Sequence, residues 1–190
     1  MIETGNYLLS PLAGGGFRAM PCEAHLTGLA RAPSRVKDFP RLVPLAAEHP
    51  TLFTLPAHFV KRSQNLSKRQ QRAAYAHTLL ELEIIRRGWI WTHGDAFRDP
   101  RAFGEYGEAG PRGNYSARKS LHKLKLARDF NLWKPDAAGA MRYQRTTAAH
   151  KGLGELWIDL GKFFGWPLQW GGSAGRNDGN HYSYGHDGQW

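Results

Sequence analysis

Two histidines and two aspartates carry the chemistry open to this chain. His122 and Asp129 lie in Ser120-Leu-His122-Lys-Leu-Lys-Leu-Ala127-Arg-Asp129, and Asp178-Gly-Asn-His181 follows in a Gly- and aromatic-rich tail. Two imidazoles and a carboxylate are a zinc ligand set that keeps a fourth position open, and the aspartate just before the last histidine is a candidate general base. The combination points to a hydrolase. On one helix His122 and Asp129 would share a face but lie about 10 Å apart along the axis, and on one strand they would be about 23 Å apart. Neither spacing lets both side chains reach one ion at ~2 Å, so the chain must bend between them, with His122 in a turn and Asp129 on a strand. Leu126, Ala127, Phe130 and Leu132 form a short apolar run around Asp129, as in a largely buried strand. A carboxylate there needs a partner, because an unpaired buried charge is costly. A metal is one such partner; a nearby Arg or Lys is another.

The segment resembles the Ser-x-His-x-x-x-x-Ala-x-Asp signature of the LAS-type zinc peptidases. These include D-alanyl-D-alanine carboxypeptidases and dipeptidases and phage L-alanyl-D-glutamate endopeptidases. The likeness is greatest to short phage endolysins and covers roughly residues 65 to 184. It implies zinc ligands His122, Asp129 and His181, with Asp178 as the base. Gly94-Asp-Ala-Phe-Arg98-Asp-Pro100 resembles the family's arginine-bearing element, so Arg98 would bind substrate oxygens and help hold the oxyanion, while Ser120 would orient the turn or a substrate carboxylate. The implied mechanism has Asp178 taking a proton from zinc-activated water and handing it to the leaving amine. Lys125 stands where the family usually has a small residue, Arg128 where it has an aliphatic one, and Ser183 where an acidic residue often follows the last histidine. His186 is an additional histidine near the site that could substitute as a ligand or touch substrate. His77, His93 and His150 read as structural or exposed. The tryptophans read as core, with one or two on the cleft.

The charge is lopsided: 26 Lys and Arg against 16 Asp and Glu give a net +10, clustered at Lys61 to Arg72, Arg86-Arg87 and Arg118 to Arg128. Such a surface suits nucleic acid, anionic lipid headgroups or cell-wall polymers, and by charge alone nucleic acid is the commoner partner. The five residues Arg98, His122, Asp129, Asp178 and His181, in the family's order, favour the stem peptide of peptidoglycan instead, with anionic envelope polymers on the basic surface and no nucleic acid. The expected protein is therefore a monomeric zinc peptidase, most simply an L-alanyl-D-glutamate endopeptidase of the endolysin kind. Two alternatives stand beside it: a D-alanyl-D-alanine carboxypeptidase, and a noncatalytic cationic protein that binds nucleic acid or wall polymer.

The single cysteine, Cys22, excludes an internal disulfide framework and has no second Cys or nearby His to complete a metal set. No run approaches the ~18 apolar residues of a membrane span. Glu3 and Pro11 spoil the N-terminus as a secretory signal, which places the protein in the host cytoplasm until it is released to the wall.

At 190 residues and 41% hydrophobic the chain can build one proper core. Residues 1–60, rich in Pro, Gly and Ala, read as an irregular extension of no assigned function, and residues 61–190 as the zinc peptidase domain. Ser67 and Gln70 predict a capping box opening a helix over about 68–87, with Gly88 closing it. Residues 89–97 then read as a strand that delivers Arg98 at its end. Residues 101–119 read as a substrate-side loop, and 133–145 as a loop or hairpin. A second helix carries Leu153, Leu156, Trp157 and Leu160 and closes at Gly161, and strands follow over 166–170 and 180–184. The order predicts an α+β fold of the LAS or hedgehog-like peptidase type: a small, mostly antiparallel sheet packed with helices, its zinc site in a cleft.

Overall fold

The computed structural model describes residues 2–4, 7–11, 17–21, 34–55, 59, 63, 65–111, 116–173 and 176–189. Cys22 and Gly14 to Gly16 lie outside them. The chain divides into two compact units, Met1–Leu55 and Pro56–Trp190.

The described residues of the first unit, whose composition reads as irregular, include regular elements. The unit carries three antiparallel strands, β1 (Ile2–Thr4), β2 (Tyr7–Pro11) and β3 (Phe17–Pro21), paired in the order β1-β2-β3. A 3-10 turn (Ser34–Asp38), helix α1 (Val43–Glu48) and a second 3-10 turn (Pro50–Phe53) follow. Strands of three to five residues hold too few alternations to show a period, and the prolines at their ends mask them further.

The second unit is an α+β arrangement with an open antiparallel sheet. Helix α2 (Leu66–Arg86) begins at Asn65, whose side chain accepts from the Lys68 N–H. The expected Ser67 and Gln70 box does not form: Asn65 takes the capping role two residues earlier, and Gln70 donates its side-chain amide to the Leu124 carbonyl at 2.9 Å. Ala73, Ala76, Leu80 and Ile84 form the buried stripe, and Gly88, at φ 67°, follows the helix in the left-handed region. Glu83 is fully buried in that stripe, yet its carboxylate accepts from Arg86 at 2.7 and 3.0 Å and from Arg87 at 2.6 Å, so the charge is paired.

Strand β4 covers only Ile90–His93, shorter than expected, because the chain turns at Gly94; a short helix α3 (Pro100–Phe103) opens the following loop. A 3-10 turn (Leu121–Leu124) leads through Lys125 into β5 (Ala127–Pro135), which pairs with β6 (Met141–Gln144) as a hairpin. Helix α4 (Thr147–Phe164) ends at Gly165 rather than at Gly161. Gly161 instead lets β7 (Leu168–Trp170) approach: a Cβ there would stand 2.9 Å from the Trp166 carbonyl oxygen. Strand β8 (His181–Tyr184) completes the sheet, whose order is β4-β5-β8-β7 with β6 also on β5.

The core lies between this sheet and the two long helices. Phe130, Leu132 and Tyr182 are buried, and His77 of α2 and Trp157 of α4 pack on them, with the Phe130 and Tyr182 rings 5.6 Å apart. Among the described residues no helix is long and apolar enough to cross a membrane.

Candidate metal centre

The bend required between His122 and Asp129 is made by the 3-10 turn and by Lys125, which holds φ 55° and ψ 29° in the left-handed region. A Cβ is disfavoured in that region, so the turn holds local strain at Lys125. The turn is anchored from three sides. Gln70 bonds the Leu124 carbonyl, the Arg98 N–H donates to the His122 carbonyl at 3.2 Å, and the buried Lys123 ammonium donates to the Glu105 and Glu108 carbonyls at 3.2 and 2.8 Å.

Asp129 and His181 face each other across β5 and β8. The Asp129 N–H donates to the Asp95 carbonyl and its own carbonyl accepts from Gly94, both at 2.8 Å, so its backbone bonds point toward β4. It therefore forms a non-hydrogen-bonded pair with His181, the kind whose side chains approach most closely. Gly171 completes the approach: a Cβ there would lie 2.3 Å from the Asp178 carbonyl oxygen and 2.9 Å from the His181 Cβ.

Three atoms converge as a result. His122 Nε2 is 3.2 Å from His181 Nδ1 and 3.4 Å from Asp129 Oδ1, and His181 Nδ1 is 3.0 Å from the same oxygen. Ligands bound at ~2.0–2.1 Å in a tetrahedron are about 3.3 Å apart, so this triangle has the dimensions of three corners of such a site. The donor set fits a metal ion, and these three residues could hold one. Burial works to raise the Asp129 pKa, but the two imidazoles outweigh it and hold the carboxyl well below the usual carboxylate range. Asp129 thus has imidazoles facing it rather than an Arg or Lys. Among the described residues the buried His122 Nδ1 has no hydrogen-bond partner of the kind that commonly steadies a ligating imidazole.

No family model matches the chain, and no curated protein or solved structure is significantly similar to it.

Arg98 reaches the same turn by a different route from the one expected. It follows the Gly94 turn rather than a strand end, and its guanidinium is held by the Asp95 carboxylate, at 2.8 Å from Nε and 2.6 Å from the terminal nitrogen, and by the Ser116 and Ser120 hydroxyls at 3.2 and 3.0 Å. Ser120 is thereby a neighbour of Arg98, one residue before the His122 turn. Asp178 is exposed and joins the group through its backbone, its carbonyl accepting from the His181 N–H at 3.2 Å; its carboxylate is not one of the converging atoms.

The other histidines have other partners. His186 packs against Arg69, Tyr106 and Asp187 rather than in the triangle. The His77 Nε2–H donates to the Tyr182 carbonyl at 3.1 Å, His93 lies 3.8 Å from Glu81, and the buried His150 is paired with the Gln144 carbonyl at 3.3 Å. Ser183 is buried, with its hydroxyl donating to the Gln169 carbonyl rather than turned to His181. Three supporting residues carry no spacing signature in the sequence: Asp95 and Ser116, which hold Arg98, and Gln70, which holds the turn.

Proposed function

We propose that this protein is a zinc-dependent peptidase of the LAS type that cleaves the stem peptide of peptidoglycan, as an L-alanyl-D-glutamate endopeptidase of the endolysin kind. The observation that carries the reading is the triangle of His122, Asp129 and His181 atoms, set beside an arginine whose guanidinium is already oriented. A zinc ion held there would supply Lewis acidity toward water and toward a peptide carbonyl. Arg98, fixed by Asp95, Ser116 and Ser120, presents its charge where substrate oxygens can be held and a developing negative charge stabilised. Asp178 is exposed beside His181 and takes a proton from water, then returns it to the leaving amine. Asp129 stays ionised because the two imidazoles favour its charged form. The net charge of +10 suits the anionic polymers of the envelope.

Digestion of purified peptidoglycan by the zinc-loaded protein, with the new termini read by mass spectrometry beside a His181→Ala control, tests this reading. New peptides beginning with D-Glu are expected. Loss of terminal D-Ala alone would make the protein a carboxypeptidase, and an unchanged digest from zinc-loaded protein would remove the wall as substrate.

A further inference from the structure

We propose a carbohydrate subsite on the Trp133 and Tyr143 rings, on the same sheet face as the metal-ligand group. The proposal rests on the reading of this protein as a peptidase whose substrate is a glycan-linked peptide. Residues two apart on a strand share a face, and directly paired residues share it too. Asp129, Asn131 and Trp133 therefore lie on one face of β5, with His181 opposite Asp129 and with Ile90 and Tyr143 opposite Trp133 on its two sides. The reverse face bears the buried Phe130, Leu132 and Tyr182, on which the helices pack.

A sheet with one face packed on helices ordinarily turns polar residues toward water on the other. Here that face carries Ile90, 49% exposed, and Tyr143, 44% exposed, with the half-buried Trp133 between them. The Trp133 and Tyr143 ring centroids are 5.1 Å apart. A polar group edges the pair, the Tyr143 hydroxyl donating to the Asn131 side-chain oxygen at 3.3 Å, and the Arg145 guanidinium lies over the Tyr143 ring, 5.9 Å from its centre. A pyranose offers the matching surface, an apolar C–H face rimmed by hydroxyls. Four residues of strand set Trp133 about 13 Å from Asp129. A sugar attached one residue from the scissile bond reaches a comparable distance, on the order of 10 Å.

The cross-strand ring pair also steadies the β5–β6 hairpin, so the test must separate recognition from folding. The probe is chitotetraose, titrated into the full chain while the tryptophan indole N–H signals are followed by NMR, with Trp133→Leu identifying the Trp133 signal. A saccharide-dependent shift of that signal is expected. In the doubly substituted Trp133→Leu, Tyr143→Leu protein, KM for disaccharide-linked stem peptide should rise about tenfold, with KM for the sugar-free stem peptide and kcat unchanged. No shift of the Trp133 signal in the wild-type protein, or an equal rise of KM on both substrates, would overturn the subsite. Saccharide binding is read without turnover. A protein that binds chitotetraose at Trp133 but cuts no peptide would contradict the peptidase reading and leave the subsite standing.

Discussion

At the scale of single residues, the roles proposed for Asp178, His181 and Arg98 are separable by substitution. Asp178→Asn should lower turnover by about 10²–10⁴-fold while leaving zinc content unchanged, because Asp178 lies outside the ligand triangle. His181→Ala should lose both, as measured by zinc analysis beside a turnover assay. Asp95→Ala should free the Arg98 guanidinium and raise KM about tenfold with zinc retained, since hydrogen bonds to charged groups contribute ~1.5–3 kcal/mol. The convergence of His122, Asp129 and His181 was legible in the sequence because metal chemistry restricts residue type and because no single helix or strand could bring His122 to Asp129. Asp95, Ser116 and Gln70 were not legible in these roles. Each acts through another residue, and such partnerships follow from the folded backbone rather than from local spacing.

At the scale of elements, the turn between His122 and Asp129 contains its own strain. Lys125 occupies the left-handed region at φ 55°, so Lys125→Gly should raise stability by about 0.5–1 kcal/mol, read as a higher denaturant midpoint with an unchanged slope. The opposite outcome is expected at Gly154 of α4, where a Cβ would meet the Trp170 ring at 2.0 Å. Gly154→Ala should therefore cost about 1–3 kcal/mol and lower the melting temperature by several degrees. The long helices were legible from their apolar period, and β5 from the short apolar run around Asp129. Their ends were less so. Asn65 caps α2 in place of Ser67 because several residues near the start can cap, and Gly161 serves packing against β7 rather than termination.

At the scale of the whole molecule, buried titratable groups make stability depend on pH. His77 is wholly buried between the helix and the sheet, and burial pushes its pKa down to about 3. The folded protein keeps this ring neutral where the unfolded chain, with an ordinary pKa of about 6.5, takes up a proton. The unfolded state thus binds more protons between these two values, and stability should fall by about 1.4 kcal/mol per pH unit as pH drops from about 6.5 toward 3. Denaturant unfolding in the presence of chelator should show that slope, and His77→Phe should flatten it. The α+β class of the second unit was legible from the order of its elements, whereas the three strands of the first were not, because each is too short to display alternation. Net charge bears on the class of partner without pointing to a place on the molecule, whereas the register of β5 with its neighbours puts Asp129, His181, Trp133 and Tyr143 on one face. His122, Asp129 and His181 are proposed to hold a metal ion together. The most direct test is zinc content by native mass spectrometry of the wild-type protein beside Asp129→Ala. One zinc per chain, absent from Asp129→Ala, is the expected result, and a wild-type protein that takes up no more zinc than Asp129→Ala would contradict a metal site at these three residues.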